Sequence, residues 1–438
     1  MNNLSSITTI FRTLRYRNYR LFFGGQLISL VGTWMQQIAL TWLVYRLTNS
    51  ALLLGVVGFA GQFPTFLFGP VAGVLADRMN RHHIIIATQT LSMIQAIILS
   101  VLTLTGVIHV WHIIVLSSFL GLINAFDMPT RQSFVLDMIE HREDIGNAIA
   151  LNSSMFNGAR LVGPSIAGLV IAALGEGLCF VLNGASYLAV IVALLAMKIS
   201  RQTSSPERPG VFTELREGFG YVTRSIPIRS ILLLIVVVST MGLQYTILMP
   251  IFARDILHGG PNTLGFLMGA TGVGAVIGAL TLASRKTVRG LARWIPTAAA
   301  TFGLGLLLFG FSTNLTLSLF LLLLTGFGMM VQLASSNTIL QTIADDDKRG
   351  RVMSFYVMSF MGMAPFGSLL AGALAGAIGA PATLAISGTV CILGAVMFAT
   401  RLPILRKEIR PIYARLGIIP EVSTGVQAAT HLTMPPGD

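Results

Sequence analysis

Three ionisable residues stand where the sequence is otherwise apolar. Asp127 and Arg131 share the apolar run 112–138, one helical turn apart and so on one face; Arg160 lies deep in the run 146–173. A charge in a membrane-length apolar run costs several kcal/mol unless it is paired, so each is a candidate for function. The chemistry open to them is proton exchange, with a carboxylate binding and releasing the proton and a guanidinium supplying the counter-charge. At 1.5 Å per residue Asp127 lies ~15 Å from Asp137, which ends its run, and Arg160 ~22 Å from the start of its own. Asp127 is expected to pair with Arg160, with Arg131, or with both. Pro129 removes a backbone donor beside them and should bend the helix. The plainer alternative is an ion pair that locks two neighbouring helices.

A second set is polar and uncharged. Gln26, Thr33 and Gln37, with Ser29, recur at three- and four-residue spacing and form one helical stripe, suited to the wall of a water-filled cavity. Gln62, Asn152, Asn157, Gln244, Tyr245 and Gln332 lie inside other apolar runs. Together they predict a polar and aromatic cavity for a small-molecule substrate. No phosphate-cradling loop is present, so ATP is not expected to drive the chemistry. The seven His and two Cys have no metal-ligand spacing, and His82-His83 reads as a solvated loop pair. No metal, other cofactor or enzyme activity is expected.

A third set is the loop GVLADRMNRHH, with Gly73, Asp77, Arg78 and Arg81. An acid at the end of a span can pair with those arginines or sit at the positive end of another helix. The turn calls for a residue tolerant of left-handed backbone, and Asn80 is expected to supply it.

The elements that must hold these residues are membrane spans. Of 438 residues, 54% are apolar and 11% charged, against about 25% charged in soluble proteins. The mean hydropathy is +0.77. Such a chain cannot cover a soluble globule of its size, and it is too apolar for disorder. Cys179 and Cys391 sit in apolar runs and make no disulfide framework. The net charge of +12 lies in short clusters between the runs, the signature of membrane topology and not of a nucleic-acid partner.

Runs long enough to span occur near 21–45, 52–75, 84–105, 112–138, 146–173, 177–197, 230–253, 263–283, 293–312, 315–336, 351–377 and 381–400. The expected fold is an all-α polytopic membrane protein, twelve transmembrane helices in two six-helix bundles, 21–197 and 230–400. A juxtamembrane segment (1–20), a linker with a short interfacial helix at VFTELREGFGYV (198–229) and a tail disordered at its end (401–438) complete it. The first run is too long for a cleavable signal core. Only Arg46 and Arg254 fall in odd-numbered loops, which places both termini in the cytoplasm. GNAIALNSSMFNGARLVGPSIAG (146–168) aligns without gaps on GRVMSFYVMSFMGMAPFGSLLAG (350–372), with four glycines coincident. The halves are therefore read as a parallel repeat, an arrangement suited to alternating access around a site between them.

The loop GVLADRMNRHH resembles the G-x-x-x-D-R-x-G-R-K signature of the major facilitator superfamily, with Asn80 for the second Gly and His82 for the last basic residue. The equivalent loop of the second half, LASRKTVRG, has Ser284 in the acid's place. The stretch GTWMQQIALTWLVYRLTNSALLLGVVGFAGQFPTFLFGPVAGVLADR, followed by AFDMPTRQSFVLDMI, is similar to the branch that includes the enterobactin (siderophore) exporters and other efflux proteins. Gly163, Pro164 and Gly168 resemble the antiporter signature G-P-x-x-G-G, with Ala167 for one Gly; Gly121 lacks the Arg of the multidrug-type signature R-x-x-Q-G. The resemblance implies a secondary transporter of the bacterial inner membrane. It would act as a monomer among lipids and export a small amphiphile, a siderophore, drug or metabolite, by proton antiport, with Asp77 and its neighbours as gating loop. An importer or facilitator, and a non-transporting sensor or scaffold, are the alternatives.

Overall fold

The computed structural model describes residues 12–139, 141–197, 211–285 and 287–416, without the side chains of residues 74, 76, 77, 142 and 211–216. Among these residues the chain is helical throughout. The first half holds α1 (Arg17–Thr48), α2 (Ala51–Arg78), α3 (Arg81–Leu104), α4 (Val110–Asp137), α5 (Ile145–Leu174) and α6 (Glu176–Leu195). A surface helix α7 (Val211–Arg224) follows. The second half holds α8 (Ile226–Ile256), α9 (Pro261–Ala283), α10 (Leu291–Gly310), α11 (Leu315–Ile343), α12 (Arg349–Ile378) and α13 (Ala380–Arg415). All but α7 are long and apolar enough to cross a membrane, which gives the twelve expected spans.

Helix starts follow the polar residues between runs. The side chains of Ser50 and Asn314 accept from Leu53 N and Leu317 N and cap α2 and α11. Asn80 does the same for α3, accepting from His82 N and His83 N. Its φ is −70°, so the expectation of a left-handed turn is corrected: the amide side chain satisfies the helix's first N–H groups, and extended backbone is what that needs. Left-handed helical backbone appears instead at Asn49 (φ 48°), which ends α1, while Gly175 (φ 83°) and Gly379 (φ 85°) take extended positive-φ backbone and turn α5 into α6 and α12 into α13. These glycines obey the same 204-residue offset as the repeat. A side chain at either glycine would cost roughly 1–3 kcal/mol.

The last helix runs well past residue 400. Leu405, Ile409 and Tyr413 recur every fourth position on its charged extension and are buried against the second half's core, which carries the helix through Pro403 and Pro411. The helix α7 is tied to the second half. Glu217 pairs with Arg351 at 2.7 Å, and the Tyr221 hydroxyl donates to Asp345 at 3.0 Å. The segment before α1 is clasped to the start of α5. The Tyr16 hydroxyl donates to Asp144 Oδ2 at 2.6 Å, Arg12 and Arg15 lie 3.0 and 2.9 Å from that carboxylate, and Thr13 Oγ1 donates to Asn147 at 2.8 Å. The tyrosine hydrogen bond and then the two guanidinium charges hold the Asp144 carboxyl below the usual carboxylate range.

The two halves meet chiefly where α5 packs on α9 and α2 on α12. Both crossings are glycine to glycine. A Cβ on Gly265 would stand 3.0 Å from Pro164 O and 3.1 Å from Gly168 Cα; one on Gly372 would stand 2.7 Å from Gly55 Cα. Gly168 and Gly372 are repeat partners, so the repeat reappears as a pseudo-twofold pair of contacts. Both lie toward the ends of the helices remote from the chain termini. Toward the termini, residues 150, 153 and 154 of α5 and their repeat partners 354, 357 and 358 of α12 are exposed. The closest approaches between the halves thus gather at one face, and toward the other these positions are exposed.

Candidate transport site between the two halves

Asp127 is buried in α4 and faces α3. Its Oδ1 accepts from Thr88 Oγ1 at 2.8 Å and from Gln89 Nε2 at 2.9 Å, and Arg131 closes on its other oxygen. The expected alternatives therefore resolve: Arg131 is the partner and Arg160 is not. The i, i+4 spacing makes Arg131 available on the same face of α4, and the rotation of α5 carries Arg160 away to Trp34 and Met329. The cluster lies inside the first half, and every partner comes from α3 or α4. Thr88 and Gln89 went unread in the sequence because hydroxyls and amides in a span usually signal only a helix contact.

Arg160 points elsewhere. Its guanidinium carbon lies 5.8 Å from the Trp34 ring centroid, and Nη2 contacts Met329 Sδ at 3.4 Å. It thus spans from α5 to α11 across the gap between halves. The buried hydroxyl of Tyr245 on α8, without a hydrogen-bond partner among the described residues, lies toward Arg160 and Thr271. Arg160 accordingly places a positive charge between α5 and α11, where only uncharged polar and aromatic side chains were expected. Gly163 sets this direction. A Cβ there would stand 2.6 Å from Trp34 Cβ, so α1 lies hard against α5 and the arginine on the next turn back is brought to the Trp34 ring.

The other expected cavity residues divide. Gln62 Nε2 donates to Ser368 Oγ at 3.1 Å, and Ser368 donates to Gln244 Oε1 at 2.8 Å, so two of them are joined across the halves by a serine the sequence did not mark. Gln332 is buried, with only a 3.4 Å bond to Ser336 and its Oε1 unpartnered. Gln26 is buried, Thr33 bonds back to Ser29 O, and Gln37 is exposed, so that stripe does not present one uniform wall. Asn157 bonds back to Ser153 O, and Asn152 is half-buried. Gln36, one residue off the stripe, binds Gln95 and Asn183 at 3.1 and 2.7 Å and stitches α1, α3 and α6 together.

In the loop set, Arg81 Nη1 lies 3.0 Å from both oxygens of Asp137, at the end of α4. Arg78 is exposed, Gly73 has open space where a Cβ would be, and the Asp77 side chain lies outside the described residues. His82 is half-buried, its Nε2 2.9 Å from Leu194 O and its ring stacked on Phe134. That corrects the solvated reading of this residue: the turn directs the ring into the gap between α4 and α6. The Gly163, Pro164, Gly168 motif performs two packing tasks, since Gly163 seats α1 while Pro164 and Gly168 receive α9.

The closed face carries a polar latch. The Tyr45 hydroxyl binds Asp255, and Arg254 Nη1 donates to Asn49 at 2.7 Å, both between α1 and α8. On the same face Arg46 pairs with Glu176 at 2.7 Å. Arg46 and Arg254 are the two basic residues of the odd-numbered loops, and their isolation was the available signal that each is held by a specific acceptor.

Residues 8–416 match the transmembrane secretion effector family. A staphyloferrin A transporter of Staphylococcus aureus is 26% identical over 87% of this chain and 96% of its own length. The multidrug efflux pump Tap of Mycolicibacterium fortuitum is 28% identical over 84% and 92%. Among solved structures, a POT family transporter superposes with a TM-score of 0.74 at 12% identity, over 89% of this chain and 96% of that one. Twelve apolar helices and these relatives make the protein a multi-pass protein of a bacterial membrane that handles small molecules. The chain belongs to the transmembrane secretion effector family of major facilitator superfamily transporters.

Proposed function

We propose that this protein exports a small amphiphilic molecule across the cytoplasmic membrane by proton antiport, as a monomer with both termini in the cytoplasm. The observation that carries the reading is the one-sided closure. Two six-helix halves are clasped by glycine crossings and a polar latch at one face and have exposed repeat positions toward the other, around polar side chains drawn from both. With the termini cytoplasmic, the open face is the one from which an exporter loads. Export is further supported by the relatives, a siderophore transporter and a drug efflux pump. Asp127 is the proton carrier in this reading, because among the described residues no other acid lies deep in a span and Arg131 can balance its charge. The test uses everted membrane vesicles containing the protein. An imposed proton gradient should drive uptake of ethidium or another amphiphilic dye, and a protonophore should stop it. Uptake that ignores the gradient in either direction would sink the antiport reading.

A further inference from the structure

Arg160 is a cation without an anion. It sits midway along α5 and is half-buried. Among the described residues no carboxylate pairs with it, and its neighbours are a thioether, an indole face and the Tyr245 hydroxyl. Five N–H donors cannot be satisfied by those groups, and a charge at this depth is kept only where something balances it. The one deep carboxylate, Asp127, is taken by Arg131, Thr88 and Gln89. Close by, the Tyr245 hydroxyl is buried and makes no close hydrogen bond. Met329 on α11 also meets the guanidinium, so arginine, tyrosine and thioether frame one place between the halves.

We infer that Arg160 anchors a carboxylate on the transported molecule, with the Tyr245 hydroxyl as second donor. The guanidinium fork matches a carboxylate in plane and charge. A phosphate monoester carries close to two charges at neutral pH and would need a second cation, and none is found beside Arg160 among the described residues. The flank is apolar: Trp34 meets Phe156 edge-on at 5.8 Å, beside Met329. The substrate class is therefore an amphiphile with one carboxylate beside an aromatic or apolar body. This rests on the reading of the gap between the halves as the transport cavity.

The test uses the full-length protein in lipid nanodiscs with two probes of one shape, 1-naphthylacetate and its neutral amide, 1-naphthylacetamide. Binding is read from Trp fluorescence and thermal shift for wild type, Arg160→Gln and Arg160→Lys. Wild type should bind the carboxylate about tenfold or more tighter than the amide. Arg160→Gln should erase that preference, and Arg160→Lys should keep part of it. Without ligand, Arg160→Gln should melt no lower than wild type, because it removes an unbalanced charge. Equal binding of both probes by wild type, absence of carboxylate binding at millimolar concentration, or a preference that survives Arg160→Gln would each overturn the inference. Everted vesicles separate it from the transport reading. Gradient-driven dye uptake that persists in Arg160→Gln without any carboxylate preference in wild type leaves an exporter and removes the anion site. A carboxylate preference without uptake of any probe keeps the site and removes the exporter.

Discussion

At the scale of single residues, the ion pair Asp127–Arg131 and the lone Arg160 divide the charge inside the first half into a balanced and an unbalanced part. If Asp127 carries the proton, Asp127→Asn should abolish uphill efflux yet leave downhill exchange, because the amide imitates the protonated acid and still accepts from Thr88 or Gln89. Arg131→Met should lose uphill efflux as well, since a bare carboxylate in the bundle is avoided by keeping its proton. It should also destabilise the protein by up to about 3 kcal/mol. The rival reading, a clasp between α3 and α4, predicts that the double variant Asp127→Asn/Arg131→Met recovers stability and keeps gradient-driven transport. Vesicle uptake by the double variant decides between them. The sequence showed that Asp127 needs a cation but not which one. The choice depends on how α5 is rotated, and that rotation is set by the contact of Gly163 with Trp34 on another helix.

At the scale of elements, small residues decide where helices touch and polar side chains decide where they begin. Gly372 and Gly376 lie one turn apart on α12 but differ in what they face. A Cβ on Gly372 would meet backbone, 2.7 Å from Gly55 Cα and 2.8 Å from Ala51 O, whereas one on Gly376 would meet Leu52 Cβ at an ordinary 3.8 Å. Gly372→Ala should therefore push α12 off α2 at a cost of about 1–3 kcal/mol. A cost of 1.4 kcal/mol shifts the balance between access states about tenfold. Gly376→Ala should do neither, and thiol-reagent access to single cysteines on the two faces reads the difference. The Asp144 clasp gives a pH prediction. Its carboxyl is held below the ordinary range, so its contribution is complete above the unfolded pKa of ~3.9 and is lost only as pH falls below that. Amide exchange across Thr13–Tyr19 should stay slow from pH 8 to 5 in wild type, and Asp144→Asn should speed it at pH 7. The spans were legible because hydropathy is local. The course of α13 to Arg415 was not, because it follows from packing against the second half and not from the apolar run that ends near 400.

At the scale of the whole molecule, the parallel repeat was legible as four coincident glycines. The face at which the halves close was not, because it depends on Gly168 meeting Gly265 and Gly55 meeting Gly372 across the chain. Alternating access requires those crossings to open and the opposite ends to close. The near approach of Leu52 Cβ to the Cβ position of Gly376, 3.8 Å, is the separation found in disulfides. Leu52→Cys with Gly376→Cys should therefore form a bridge between α2 and α12 under mild oxidation. The native Cys179 and Cys391 are buried and do not compete. The bridge should hold the latch face shut while the face toward the termini stays open. Ligand binding from that side should persist, transport should fall to background, and a reductant should restore it. Each single cysteine variant should transport in both redox states. If the fully cross-linked protein still moves substrate, then α2 and α12 do not separate during the cycle. The moving part would then lie within one half, where the π-helical turns of α8 and α12, joined by the hydrogen bond from Ser239 to Phe360 O, offer the nearest place for the backbone to shift.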